Sequence, residues 1–318
     1  MSGSAPDFTL LVTCHFEEKS IDEFYRRMRD TLESTGRSYE IVMVNDGSTD
    51  GTWERLKAIY NADPKVTAVM DFFKNAGQQA AITAALCEAR GKSVILMDSD
   101  LQLAPEELPL LIAKYDEGYD LVSGYRENRR DSLFRVLPSK LANMIMRRVS
   151  KSTLSDFGCT YKIYNAALIH AFGYGPRHVF SNVDAIAALQ RYCEVPVTHY
   201  PRKYGKSGWT FTKLWRYNMD NFVLLTQYPF QLLGLFCIFA SGLFLLRIVA
   251  GFYTDFQVLD QVSNGLILNS VAFAMLFILS VLALMGEFTL RCFAALRKAP
   301  AYAIREKLSR HDDLKAGE

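Results

Sequence analysis

The 318-residue chain has almost no net charge: 36 Lys and Arg stand against 34 Asp and Glu, leaving +2. That balance excludes a generally basic nucleic-acid binder and an acidic-tailed protein. Cysteine is sparse and scattered (Cys14, Cys87, Cys159, Cys193, Cys237 and Cys292), with no C-x-x-C pair. Neither a zinc site nor a disulfide framework is expected, and reduced thiols are. The chain lacks G-x-x-x-x-G-K-[ST] and G-x-G-x-x-G, which removes support for a P-loop or a dinucleotide fold. Internal repeats and low-complexity segments are missing as well. The opening residues MSGSAPDF have no basic n-region and no apolar h-region, so no signal peptide is expected.

Charge is also missing locally. Half the residues are hydrophobic and the mean hydropathy is +0.03, an average over two unlike parts. Residues 230–250 carry only Arg247, and residues 266–286 carry no charge. As helices, 21 residues at ~1.5 Å each span roughly 31 Å, about the hydrocarbon thickness of a bilayer. Arg247 lies near one end of its stretch, where a long side chain can snorkel. The loop between holds Asp255 and Asp260 but no Lys or Arg. Lys203, Lys206, Lys213 and Arg216 precede the first stretch, and Arg291, Arg297, Lys298, Arg305 and Lys307 follow the second. By the positive-inside rule both termini are cytoplasmic. The expected organisation is therefore a cytoplasmic domain over 1–208 and an interfacial amphipathic segment over 209–228, containing Trp209, Phe211, Trp215 and Tyr217. Transmembrane helices over 229–250 and 266–286 follow, joined by a short extracytoplasmic loop over 251–265, and a basic cytoplasmic tail covers 287–318.

The first part alternates strand and helix patterns. Phe8–Thr13, Tyr39–Asn45, Val66–Phe72 and Ser93–Met97 are short apolar runs suited to buried strands. Ser20 and Glu23 form a capping-box pattern, followed by Ile21, Phe24, Met28 and Leu32 at helical spacing until Gly36. Ala76–Arg90 reads as a helix closed by Gly91, and Pro105 begins another that runs to about Glu117. This order implies a parallel sheet covered by helices, with ligands at the carboxyl ends of the strands. Three polar clusters fall on that rim: His15-Phe16-Glu17, Asn45-Asp46-Gly47-Ser48 and Asp98-Ser99-Asp100.

Asp98 and Asp100 are a D-x-D pair at a strand end. Carboxylates so close repel unless a cation joins them, and Mg²⁺ or Mn²⁺ takes hard oxygen ligands together with substrate phosphates. Gln102 offers a further oxygen from the same turn. Asp46 offers an acceptor to a base or ribose, or else only closes a tight turn whose Ser48 or Asp50 caps the next helix. Arg129, Arg130, Arg135, Arg147 and Arg148 form either a solvated face or a surface for an anionic acceptor.

LLVTCHFEE, VMVNDGSTDGTWE, KNAGQQAAITAALCEARGKSVILMDSDLQLAPEELP, GYRENRRDSLFR, SDFGCTYKIYN and PRKYGKSG occur in an order and spacing that resemble the family 2 glycosyltransferases of the dolichol-phosphate-mannose synthase type. DEGYD, the DS-x-FR stretch, the D-x-GC turn and the MGE…AP-x-Y tail carry a further likeness to a bacterial branch acting on undecaprenyl phosphate. The resemblance implies a GT-A type, Rossmann-like, mainly parallel α/β catalytic domain followed by two transmembrane helices. It implies inverting, metal-dependent transfer from a nucleotide sugar, expected to be a UDP-sugar, to polyprenyl phosphate at the inner membrane, in a homo-oligomer, a tetramer. Under it, Thr13, His15, Glu17, Asp46 and Asp98 bind nucleotide, and Asp98, Asp100 and Gln102 hold Mg²⁺ or Mn²⁺. Arg126, Arg129, Arg135, Arg202 and Lys206 meet the acceptor phosphate, with Asp156 and Asp100 as catalytic residues. Asp156 is either a modest base or a positioning group.

Two departures stand out. Thr13-Cys14-His15-Phe16-Glu17 replaces the family's Pro-x-Tyr-Asn-Glu, and Gly208 stands where a Lys is usual, with Lys206 two residues earlier. A processive polysaccharide synthase of the same superfamily would need more spans and a Q-x-x-R-W motif, which the chain lacks. A catalytically silent membrane scaffold is the remaining alternative, and the intact D-x-D argues against it.

Overall fold

The computed structural model describes residues 5–127, 147, 152–201, 203–204 and 300–311, with separate positions between 271 and 293. The chain divides into two compact units, residues 1–222 with 300–318, and residues 223–299.

In the first unit, β1 (Phe8–Cys14), β2 (Tyr39–Asn45), β3 (Val66–Phe72), β4 (Ser93–Asp98), β5 (Leu121–Glu127), β6 (Lys162–Asn165), β7 (Tyr192–Thr198) and β8 (Ile304–Ser309) form one sheet. Its order is β7-β5-β6-β4-β1-β2-β3-β8. The β1–β2, β1–β4, β2–β3 and β5–β7 pairs are parallel, while β6 runs against β4 and β5, and β8 against β3. The sheet is thus mainly parallel, as its apolar runs suggest, and two reversed strands interrupt it. The central strands are buried on both faces, which is why they read as continuous apolar runs rather than alternating ones.

Helix α1 (Ile21–Ser34) buries Ile21, Phe24, Met28 and Leu32, the face predicted by their spacing. Each such side chain contributes about 1.5–3 kcal/mol. The exposed Arg26–Asp30 pair on the same helix adds only about 0.2–0.5 kcal/mol. The apolar face therefore places α1 on the sheet. Ser20 departs from the capping-box pattern: it makes no side-chain cap bond, and its hydroxyl donates instead to the Glu17 carboxylate.

α2 (Thr52–Ala62) follows the Asp46 turn, and Asp50 Oδ1 accepts from the Thr52 amide at 3.2 Å. α3 (Gln78–Glu88) packs on β1 and β2, with Ala80 to Leu86 buried without a break. It is shorter than the Ala76–Arg90 pattern because residues 74–77 form a separate turn at its start. Gly91 does not close α3 by left-handed geometry; a β-carbon there would lie 2.5 Å from the Thr9 amide nitrogen, so the glycine permits close approach to β1. Pro105 opens a 3-10 turn (Pro105–Glu107) that leads into α4 (Leu108–Asp116). Two short helices, α5 (Ala166–Ala171) and α6 (Asn182–Ala187), complete this unit.

β8 differs most from expectation, because it takes a stretch of the expected basic tail into the sheet. Trp53 Nε1 donates to Glu306 at 3.0 Å, Lys307 pairs with Glu88 at 2.8 Å, and Arg310 Nη2 donates to the Tyr60 carbonyl at 2.6 Å. In the second unit the described positions are helical, and Val271, Met275, Ile278, Leu282 and Met285 are exposed at spacings of three and four. Among the described residues no helix is long and apolar enough to cross a membrane. Residues 209–250, and most of 266–286, lie outside the described residues.

Gly47 tests how tightly the rim is built. Its φ is +63°, and an added β-carbon would stand 2.3 Å from the Lys74 carbonyl carbon. A left-handed L-residue alone costs about 1–2 kcal/mol, so Gly47→Ala is expected to lower Tm by at least roughly 2–8 °C in a thermal melt. An unchanged Tm would show that the 46–48 and 74–77 turns are not in contact.

Candidate active site

Parallel strands deliver their carboxyl ends to one rim. The two reversed strands bring there instead the residues that precede them, 156–161 before β6 and 300–303 before β8. The site is assembled from both sources.

Asp98 ends β4. Its Oδ1 accepts from Gln78 Nε2 at 2.5 Å and its Oδ2 from Thr160 Oγ1 at 2.8 Å. Burial, and then the neighbouring Asp100 carboxylate, push its pKa up to about 6. Asp100 Oδ1 accepts the Gln102 amide at 3.0 Å, closing the turn around Leu101, whose φ is +58°. The Gln102 side chain reaches the Tyr200 carbonyl at 3.5 Å, and its own main-chain oxygen accepts the Tyr200 amide at 2.8 Å. Gln102 thus joins the Asp98 turn to the segment after β7.

Two hard carboxylates, one of them partnered by neutral donors and disfavoured as an anion, suit a divalent cation. Among the described residues no three His, Cys, Asp or Glu side chains stand close enough to hold an ion by themselves. That also fits Mg²⁺ or Mn²⁺, which take one or two carboxylates and complete their shell with phosphates and water.

On the neighbouring strands, both oxygens of Asp46 are occupied. Oδ1 accepts the Ala76 amide at 2.7 Å, and Oδ2 accepts the Gly77 amide at 3.0 Å and Asn75 Nδ2 at 3.0 Å. Asp46 therefore satisfies amides at the start of α3, where a helix favours negative charge. Burial raises its pKa and those amide bonds draw it back. His15 lies between the two turns, with Nδ1 3.0 Å from the Asp46 carbonyl and Nε2 3.3 Å from Asn75 Nδ2. Phe16 has φ +60° and is half exposed, and its amide donates to Ser48 Oγ at 3.0 Å. Glu17 is buried, and its amide donates to Thr52 Oγ1 at 3.0 Å. Thr13 pairs in register with Val44 and Asp98, and its carbonyl accepts from Ser99 Oγ at 3.2 Å.

A third group lies at the end of β5. Arg126 Nε and Nη2 donate to the two oxygens of Asp156 at 2.7 and 2.8 Å, a bidentate pair with both side chains largely buried. Glu194 Oε1, on β7, accepts the Ser155 and Asp156 amides at 2.8 and 3.2 Å and fixes that turn. The structure thus joins two residues that sequence resemblance assigns to separate tasks. Arg129, Arg130, Arg135, Arg148, Arg202 and Lys206 lie outside the described residues. Gln78, Asn75 and Thr160 were missed from the sequence. Thr160 stands 62 positions from Asp98, and only its place just before a reversed strand brings it to the rim.

The glycosyl transferase family 2 model matches residues 9–173, just over half the chain. An undecaprenyl-phosphate 4-deoxy-4-formamido-L-arabinose transferase of Pseudomonas paraeruginosa is 33% identical over 310 residues, covering 93% of this chain and 88% of the relative. The enzyme of the same name from Salmonella paratyphi B is 35% identical, over 71% of this chain and 70% of its own. Among solved structures, glucosyl-3-phosphoglycerate synthase of Mycobacterium tuberculosis, in complex with Mn²⁺, uridine-diphosphate-glucose and phosphoglyceric acid, superposes with a TM-score of 0.51 at 17% identity. That superposition covers 69% of this chain and 78% of the synthase, and it confirms the fold. The matched range runs from β1 past the Asp98 pair and the Asp156 turn, so both carboxylate groups of the rim lie in the part shared with the family, and the chain is a glycosyltransferase that belongs to glycosyl transferase family 2.

Proposed function

We propose that the protein transfers a sugar, with inversion, from a nucleotide sugar to undecaprenyl phosphate at the cytoplasmic face of the bacterial inner membrane. The product, a lipid-linked sugar, would serve modification of envelope glycan or lipid A. The observation that carries the reading is the Asp98–Asp100 pair within electrostatic reach of Arg126, which Asp156 holds, a place for a diphosphate leaving group and one for an anionic acceptor. The two relatives named for transfer involving undecaprenyl phosphate support the acceptor. The uridine diphosphate sugar and Mn²⁺ of the mycobacterial synthase are consistent with a UDP-sugar and a divalent ion.

Asp98 and Asp100 would hold Mg²⁺ or Mn²⁺, with Gln78 and Thr160 orienting Asp98 and Gln102 closing the turn. Such an ion supplies charge neutralisation for the departing nucleoside diphosphate. Thr13, His15, Glu17 and Asp46 form the nucleoside side of the rim, Asp46 by fixing the 75–77 turn. An oxygen of the acceptor phosphate bonds to the anomeric carbon while the bond to the diphosphate oxygen breaks, and that electron pair leaves with the diphosphate. Attack from the opposite face inverts the centre. A phosphate monoester, with a second pKa near ~6, is already largely dianionic at neutral pH. Asp156 is therefore read as a residue that positions Arg126. Arg129, Arg135, Arg202 and Lys206 are proposed to gather the phosphate.

The membrane assignment draws on the apolar stretches and on β8. A strand paired with β3 keeps residues 304–309 in the same compartment as the catalytic sheet. A crossing segment within 223–299 then passes the bilayer an even number of times, which accords with two spans. The tetramer expected by resemblance remains part of this proposal.

Detergent-purified protein given undecaprenyl phosphate and a panel of nucleotide sugars is expected to form lipid-linked product with one donor, and to stop when EDTA is added. No product from any donor would overturn the reading.

Protonation of Asp98 competes with metal. A carboxyl whose pKa rises from 3.8 to about 6 on folding stays protonated across that interval, so the metal-free fold loses stability as pH climbs through it. Metal binding should tighten over the same interval, up to about tenfold per pH unit below 6, and level off above. Thermal melts with and without Mn²⁺ are expected to show a larger gain at pH 7 than at pH 5; equal gains would place the metal elsewhere.

Asp156→Asn keeps the shape but not the charge facing Arg126. It is expected to lower kcat at least roughly tenfold while Mn²⁺ affinity stays within about twofold, in keeping with the loss of a charge-assisted bidentate pair. Near-full turnover would remove Asp156 from the mechanism.

A further inference from the structure

We propose that Arg305, outside the family-matched range and on the strand that returns after residues 223–299, is a positioning residue for the donor side of the site. The inference rests on the nucleotide-sugar transfer proposed above. It stands on two chains of contacts that start at one guanidinium and end at the two turns beside His15.

The first runs through β3 and β2. Arg305 Nη1 lies 3.4 Å from Asp71 Oδ2, and the Asp71 side chain is only 2% exposed. Asp71 Oδ1 accepts from Asn45 Nδ2 at 2.7 Å. Asn45 Oδ1 accepts from the Ser48 hydroxyl, and Ser48 Oγ accepts the Phe16 amide at 3.0 Å. Phe16 is one of two described non-glycine residues with positive φ, a conformation that persists only where its surroundings hold it.

The second runs along the chain from β3. Arg305 Nη2 donates to the Phe73 carbonyl at 2.9 Å, its Cζ lies 5.6 Å from the Phe73 ring centroid, and the Phe73 amide donates to the Ala303 carbonyl at 3.1 Å. Asn75, Ala76 and Gly77 then meet Asp46, and Gln78 donates to Asp98 at 2.5 Å. One side chain thus sets both the entry to the 74–77 turn and the charge balance of the buried carboxylate behind the 46–48 turn.

β8 does not need Arg305 to stay in place. Its ladder with β3, the Trp53–Glu306 bond, the Lys307–Glu88 pair and the Arg310 bonds to Tyr60 and Val66 remain when the guanidinium is removed. The side chain is half exposed, so its loss opens no cavity. What its loss does leave is Asp71, a buried carboxylate deprived of its cation, and such groups act on their neighbours far more than exposed pairs do.

The experiment uses full-length protein in detergent and compares Arg305→Ala, Arg305→Lys and, on the same strand, Lys307→Ala. Calorimetry reads the Kd of uridine diphosphate with Mn²⁺, steady-state assays read KM for undecaprenyl phosphate, and melts read Tm. Arg305→Ala is expected to raise the uridine diphosphate Kd roughly three- to tenfold, the range of about one net hydrogen bond, with acceptor KM within about twofold. Arg305→Lys should recover part of the affinity, since an ammonium can face Asp71 or Phe73 but cannot fork to both. Lys307→Ala should leave the Kd unchanged. Unchanged affinity in Arg305→Ala, or donor and acceptor effects of equal size with a lowered Tm, would overturn the inference. Wild-type protein that bound no uridine diphosphate would overturn the donor reading and this inference with it; wild-type binding beside an unaffected variant would overturn this inference alone.

Discussion

Two carboxylates one residue apart at the end of a buried strand are costly to charge together. Burial disfavours the Asp98 anion first, and the neighbouring Asp100 carboxylate adds to that cost. A net hydrogen bond returns only about 1 kcal/mol, so the two neutral donors on Asp98, Gln78 and Thr160, cannot cancel it. The remaining outlets are a proton or a cation. A proton answers the charge only below the Asp98 pKa, which is pushed up to about 6, so at neutral pH the pair calls for a cation. The surrounding architecture keeps this pair half-buried and correctly aimed: α3 supplies Gln78, the approach to β6 supplies Thr160, and Gln102 ties the following turn to the segment beyond β7.

The Asp46 side of the rim solves the opposite problem. Asp46 is a buried acid whose charge is met by amides of the next turn rather than by a metal or an arginine. Such a carboxylate works as a brace. It fixes residues 75–77, and through them the position of His15 and the first residue of α3. The rim is consequently a set of loops that hold one another. The close approach of Gly47 to Lys74 shows how little room the arrangement leaves.

Much of this was legible in the sequence, for physical reasons. Strands buried on both faces leave unbroken apolar runs, so β2 and β3 could be read to the residue and β1 and β4 to within one. Parallel topology then places His15, Asp46 and Asp98 on one rim without knowledge of any contact. What could not be read depends on reversal or on long separation. Thr160 serves Asp98 only because β6 runs backwards, and Arg305 faces Asp71 only because β8 does. The Ser20 capping pattern failed because Glu17, three residues earlier, takes its hydroxyl. A local motif yielded there to a local competitor. β8 itself has a short, charged, half-exposed pattern, which reads as tail until the open edge of β3 is known to need a partner.

The Arg126–Asp156 pair bears on what kind of acceptor such a site favours. A sugar hydroxyl must lose a proton to attack, and a base that serves it needs a carboxylate oxygen turned toward it. Here both Asp156 oxygens already accept from one guanidinium, and Glu194 secures the turn from behind by accepting the Asp156 amide. A phosphate monoester comes charged and asks for no proton removal; it asks for a cation held in place. Arg126, held bidentately by both Asp156 oxygens, is such a cation. That occupancy suits a phosphate nucleophile better than a hydroxyl, which accords with the acceptor proposed above.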